Sequence, residues 1–167
     1  MVTVQILRKC LKTNKNAAKI KEDVHENCTF CNTTIETISH LFYTCHDVMN
    51  LWNEIRIFLM LNSTHFELSK TKILFGVTGK SPDSILNFTI LTAKAFIWNC
   101  KYKKKIPRFL HFKYYFKNTL YVLKEMYCIK NLYYLWEPWE YIYTMLDDER
   151  PEQRDDGGPL PQLQQHP

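Results

Sequence analysis

From Val48 to Leu59 the apolar positions Val48, Leu51, Trp52, Ile55, Phe58 and Leu59 recur at spacings of three, one, three, three and one, with Asn50, Asn53, Glu54 and Arg56 between them. That is the stripe of a helix with one buried face. Residues Ile85 to Lys101 are apolar nearly all round, and Ser81-Pro82-Asp83 ahead of them offers a cap, a proline for the first helical position and an acid for the first turn. This run predicts a buried central helix. Pro107 opens a further helix, in which Phe109, Phe112, Phe116, Leu120, Leu123 and Tyr127 return every three or four residues while Lys113, Lys117 and Lys124 fall on other faces. An aromatic cluster comes next, Tyr133, Tyr134, Trp136, Trp139, Tyr141 and Tyr143, and beyond about Leu146 the chain turns to Asp, Glu, Pro, Gly and Gln, where disorder is expected. Residues 1–26 mix a short alternating run, Val2, Val4 and Ile6, with basic positions and predict no single element. No repeat and no Asn-Gly or Asp-Gly hairpin is visible, so the fold class is mostly α.

A length of 167 residues suits one core, and 46% apolar with 23% charged residues is the balance of a chain that folds. Only 4 glycines are present, two of them Gly157 and Gly158, so no phosphate-cradling glycine loop can be assembled and nucleotide-dependent chemistry is excluded. The net charge of +5 conceals an asymmetry: residues 137–167 carry eight acids against Arg150 and Arg154, which leaves +11 on residues 1–136. Lys101 to Lys130 alone holds nine basic residues against Glu125. A polyanionic partner is the natural suggestion, with a merely solvated lysine face as the plain alternative.

Six cysteines and sequons at Asn32, Asn62 and Asn87 raise a secreted disulfide framework, but the run from Met1 to Lys9 lacks a signal peptide's apolar stretch. The sequons then read as chance matches and the compartment as intracellular and reducing, nucleus or cytoplasm. Ser84 to Cys100, 17 residues with Lys94 inside, is too short to span a bilayer, and a soluble protein is expected.

The strongest chemical signal is Cys28-x2-Cys31, eight residues, His40, four residues and Cys45. Two residues between the first cysteines make a tight knuckle whose amides can donate to the sulfurs, and a second pair about one turn apart completes a tetrahedron suited to zinc. Positions i and i+5 lie about 140° apart on an α-helix, so His40 and Cys45 converge only through a loosened turn or a helix start. A redox pair at Cys28 and Cys31 lacks the βαβ pattern and the helix start it needs, and a Cys-His hydrolase pair lacks an orienting acid and an oxyanion pocket. His25 and His46 are close in sequence, but three thiolates and one imidazole already close the site, and a closed site is structural. Cys10, Cys100 and Cys128 are expected to be ordinary thiols.

Cys28-x2-Cys31 with Glu36-Thr37-Ile38-Ser39-His40-Leu41-Phe42-Tyr43-Thr44-Cys45 and then Trp52 resembles the zinc-binding region found after the reverse transcriptase domain in LINE-type non-LTR retrotransposons. Lys72-Ile73-Leu74-Phe75-Gly76, Asn87 to Lys94 and Cys100 to Lys103 are similar to the stretch downstream of that region in vertebrate elements, so the resemblance spans roughly residues 10–130. It implies a carboxy-terminal segment of the element's polyprotein that helps hold template RNA or target DNA during target-primed reverse transcription. The polymerase's Tyr-x-Asp-Asp turn is absent, since the adjacent aspartates Asp147-Asp148 and Asp155-Asp156 lie in the acidic tail, and no endonuclease domain fits. The chain therefore looks like a remnant or truncated copy rather than an active element.

The resulting expectation is a basic lead segment (1–26), a zinc-knuckle module with its first helix (27–61), a helical basic region (62–136) and an acidic, largely disordered tail (137–167). Zinc would sit on Cys28, Cys31, His40 and Cys45. RNA or single-stranded DNA would be bound, without catalysis, by Lys101, Lys103, Lys104, Lys105, Arg108, Lys113 and Lys117, with tyrosines 102, 114 and 115 available to stack. The alternative is a protein-interaction module or a nonfunctional remnant with a purely structural zinc site. Neither a membrane nor a small-molecule substrate is expected.

Overall fold

A computed structural model describes residues 11–21, 23, 25–61, 69–77, 83–130 and 136–148. The described residues are mostly helical, and their only β feature is the antiparallel bridge between Asn27 and Ile35. In chain order the helices are α1 (Asn14–Ala18), a π turn (His40–Thr44), α2 (His46–Leu61), α3 (Lys70–Phe75), α4 (Asp83–Tyr102), α5 (Phe109–Ile129) and α6 (Glu137–Asp148).

The stripe predicted for α2 is the buried one. Val48, Leu51, Trp52, Ile55 and Leu59 are inaccessible, Phe58 is half-buried, and Asn50, Asn53, Glu54 and Arg56 face water. Helix α4 is the central element, with Leu86, Ile90, Ala93, Phe96, Ile97 and Cys100 in the core alongside Thr89, Thr92 and Lys94. Ser81 and Pro82 lie outside the described residues. Helix α5 begins two residues after Pro107, with Arg108 at the N-cap position, and buries Phe112, Phe116 and Leu120 at successive intervals of four. Its rings interlock with those of α4: Phe96 meets Phe112 at 5.7 Å and Tyr115 at 5.5 Å, and Phe88 meets Phe116 at 6.0 Å. Aromatic edges against faces add to the area they bury.

Helix α6 lies within the span assigned to the acidic tail, where composition obscures a regular stripe. Trp139, Ile142 and Leu146 are buried at spacings of three and four, with Trp136 fully buried just ahead. Trp139 packs on Phe88 at 4.9 Å, and the Lys124 ammonium of α5 stands 5.6 Å from the Trp136 ring and 5.4 Å from that of Tyr143. The helix thus runs from the start of that span to Asp148. Residues 149–167, where disorder is expected, lie outside the described residues.

Helix α3 is short because Gly76 ends it. Gly76 holds φ +91°, and a Cβ there would come within 3.0 Å of Asn87 Oδ1. Asn87 in turn accepts from the Val77 amide at 2.7 Å and donates to the Val77 carbonyl at 2.8 Å, which ties α3 to α4. That side chain is a structural clamp. Among the described residues no helix is long and apolar enough to cross a membrane.

Candidate metal centre

Between Cys28 and Cys31 the chain makes a knuckle closed by the Asn32 amide, which donates to the Cys28 carbonyl at 3.0 Å. Asn32 takes a left-handed conformation, φ 55°, that asparagine tolerates better than most residues. Flanking bonds from the Cys28 amide to Thr34 O and from the Glu36 amide to Glu26 O, both 2.8 Å, fasten the two arms of the loop. The second pair of ligands comes from the π turn. Thr37 Oγ1 accepts from the His40 amide at 3.0 Å at its entry, and at its exit the Cys45 amide donates to the His40 carbonyl at 3.0 Å. This i→i+5 bond is the loosened turn that the spacing demanded: widening the turn by one residue carries Cys45 round to the face of His40. Helix α2 starts at once, its Met49 amide bonded to the Cys45 carbonyl at 2.8 Å.

The four predicted ligands come together. Cys28 Sγ, Cys31 Sγ, His40 and Cys45 Sγ each offer an atom within 4.8 Å of the others. Cys28 and Cys45 sulfurs are 3.8 Å apart and Cys31 Sγ lies 3.3 Å from His40 Nε2. A tetrahedron with sulfurs about 2.3 Å from zinc separates them by roughly 3.8 Å, so the donor set fits the ion. Cys28, His40 and Cys45 are buried and Cys31 is half-buried. The outer groups also suit a metal. Thr44 Oγ1 stands 3.2 Å from His40 Nδ1, which leaves Nε2 for the cluster, the Phe30 amide donates to Cys28 Sγ at 3.5 Å, and Thr33 Oγ1 donates to Cys31 Sγ at 3.4 Å.

Two of the three thiols, Cys28 and Cys31, are poised to lose protons. The hydrogen bond with Cys45, helped by the amides of Cys31 and Phe30, lowers Cys28 to about 5, and the same shared proton raises Cys45 above the ordinary thiol range. Burial works against ionisation of Cys31, but the Thr33 hydroxyl and amide together with His40 bring its pKa below that of a free thiol. His46 is outside the quartet, though it and Asp47 each bring an atom within 4.8 Å of Cys45 Sγ, and its ring pairs with Asp47 at 3.3 Å. His25 is exposed. Cys100 is a buried thiol, raised to about 11 by burial, Cys128 is an exposed one, and Cys10 lies outside the described residues.

Residues between the ligands have equally definite places. Leu41 and Phe42 are fully buried, and the Trp52 indole donates to the Phe42 carbonyl at 2.8 Å, so the tryptophan of α2 holds the π turn from behind. Glu36 is fully buried. It accepts from the Asn14 amide at 2.8 Å and from the Thr29 amide and hydroxyl at 2.9 and 2.8 Å, and it pairs with Lys101 Nζ at 2.5 Å. Lys101 also donates to Asn14 Oδ1 at 2.6 Å and Thr29 Oγ1 at 3.3 Å.

That network engages Lys101, one of the residues expected to meet phosphates. It bolts the knuckle to the end of α4, with all three N–H groups used inside the protein, and has no donor left for a phosphate. Lys103, Lys104, Lys105 and Arg108 do form an exposed group in the turn from α4 to α5. Lys113 and Lys117 are half-buried further along α5, with Lys113 6.0 Å from the Phe109 ring and lowered in pKa by burial. Of the tyrosines, Tyr102 is 86% exposed, Tyr114 is partly exposed and Tyr115 packs against Phe96. Local spacing did not reveal Glu36, because its partner is 65 residues away.

Residues 1–52 match the family described as zinc-binding in reverse transcriptase. The segment carrying the cluster is thus similar to a reverse-transcriptase-associated zinc-binding region, and its last matched residue is the tryptophan that braces the π turn. No curated protein and no solved structure matches the chain. Zinc bound by these four residues would supply the cross-link that fixes the knuckle to the start of α2, with a protein atom at every corner of the tetrahedron.

Proposed function

We propose that this chain is a non-catalytic, zinc-stabilised module that binds RNA or single-stranded DNA, derived from the reverse transcriptase of a LINE-type non-LTR retrotransposon. The observation that carries the reading is the convergence of Cys28, Cys31, His40 and Cys45 inside a segment matching the zinc-binding region of reverse transcriptases. The exposed run Lys103, Lys104, Lys105 and Arg108 supports it, because the backbone there is held by the rigid end of α4 while the charges face water. In this role the protein acts in a reducing intracellular compartment and places a nucleic acid strand rather than altering it.

Salt-titrated binding tests the proposal. Log affinity for a single strand should fall with log salt at roughly −0.7 per phosphate contact, and replacing Lys103, Lys104 and Lys105 with alanine should flatten the slope by about two units. An unchanged slope would return these lysines to a solvated face.

A further inference from the structure

A cleft of about 620 Å³ separates the zinc knuckle from the last turns of α4. Cys28 and Thr29 line its knuckle side, Trp98 and Tyr102 its helix side, and Lys12 and Lys104 also border it. Trp98 and Tyr102 are four residues apart on α4, so their rings share one face of the helix. Trp98 is half-buried and carries the Lys101 ammonium 5.9 Å from its ring centre. Tyr102 is almost wholly exposed. Lys101 is consumed by Glu36, Asn14 and Thr29, so the exposed cations of the cleft are Lys12 and Lys104, against one exposed acid, Asp23.

Lys104 is also fixed in place. The chain leaves α4 through a left-handed residue, Lys104 at φ 52°, with the Lys104 amide bonded to the Lys101 carbonyl at 3.0 Å and the Lys105 amide to the Cys100 carbonyl at 2.9 Å. This paired closure of the helix end is unusual on a lysine, since glycine normally occupies the left-handed position. It fixes the Lys104 backbone at the rim of the cleft that Tyr102 also lines.

An exposed ring and two lysines lining one cleft, in a cavity within the few hundred cubic ångströms that small ligands fill, is the chemistry of an unpaired nucleotide. The ring takes the face of a base, and the cations take the adjoining phosphates. Bases inside a duplex have both faces covered by neighbours and cannot enter. We propose that this cleft receives one unpaired nucleotide of an RNA or DNA strand, its base stacked on Tyr102 and its phosphates met by Lys104 and Lys12. The proposal rests on the nucleic-acid reading above and adds to it a defined seat and a preference for single strands.

The test uses the full zinc-loaded chain and fluorescence anisotropy with labelled oligo(U), oligo(dT) and a blunt duplex of equal length. Tyr102→Leu should weaken single-strand binding by about 5- to 100-fold, the range of one lost base stack, leave the salt slope unchanged and leave duplex binding as in the wild type. Tyr102→Phe should bind like the wild type. An exposed residue can be replaced without unfolding, which equal zinc content in both variants checks. Wild-type affinity in Tyr102→Leu would overturn the cleft and leave the nucleic-acid reading standing, as would an equal loss on duplex and single strand. A wild type that binds neither strand would overturn both.

Discussion

The knuckle region, Asn27 to Trp52, and the helical region, α4 to α6, are held together by different means. In the knuckle a handful of singular polar contacts works beside the buried Leu41, Phe42, Val48 and Leu51: four metal ligands, one buried carboxylate serving four donors, and one indole on one carbonyl. In the helices the contacts are apolar and repeated, ring upon ring from Phe88 and Phe96 through Phe112 and Phe116 to Trp139. A short loop has too little apolar area to order itself and must rely on a few strong directional bonds, while long helices spread their stability over many interchangeable ones. The first region should fail through single residues, and the second should yield gradually.

Removing the metal should separate them most sharply. Structural zinc contributes on the order of 10 kcal/mol to folding, so chelation, or Cys28→Ser and Cys45→Ser singly, should abolish protection of the knuckle amides from hydrogen exchange while α4 to α6 keep most of their helical circular dichroism. A chain that purifies without metal yet shows a fully protected knuckle would contradict the assignment.

Glu36→Ala is the next largest break. It leaves the Lys101 ammonium buried with one partner charge removed, a loss of about 3–5 kcal/mol for such a pair, and the denaturation midpoint should drop accordingly. A change under about 1 kcal/mol, the usual worth of an exposed pair, would show that the contact is superficial.

Lys94 offers the opposite sign within the helical region. Its ammonium is fully buried with the Leu74 carbonyl at 3.2 Å, and burial lowers it from 10.5 to about 8. Between those values the unfolded chain holds a proton that the folded chain has released, so stability should rise with pH by about 3 kcal/mol from pH 8 to above 10.5. Lys94→Met should add about 1–3 kcal/mol at pH 7 and erase that rise in pH-dependent urea titrations. Destabilisation by Lys94→Met would mean that the amine's bond to Leu74 outweighs its burial.

The smallest effect concerns the junction of the two regions. Lys104→Gly relieves the left-handed strain at the end of α4 and should raise the melting temperature by the equivalent of about 0.5–1 kcal/mol, with zinc content unchanged. A lower melting temperature would mean that the lysine side chain stabilises the turn.

Much of this was legible in the residue pattern, for reasons that differ between the regions. The ligand quartet and the widened turn come from spacing alone, because metal geometry leaves few solutions for x2, x8 and x4. The buried faces of α2 and α5 come from periodicity. Lys101 and Lys94 were not readable, since a lysine counts as surface charge until a distant Glu36 or an enclosing core is known. Helix α6 was hidden because its acids dominate the composition while Trp139, Ile142 and Leu146 alone carry the periodic signal.

The bond between Glu36 and Lys101 also orders events in time. A ribosome completes the ligand set at Cys45, and 55 further residues are added before Lys101, which takes about 3–11 s at ordinary rates of synthesis. Throughout that interval the knuckle has its metal donors but not its ammonium partner, so the nascent chain can load zinc while Glu36 still waits for its counter-charge.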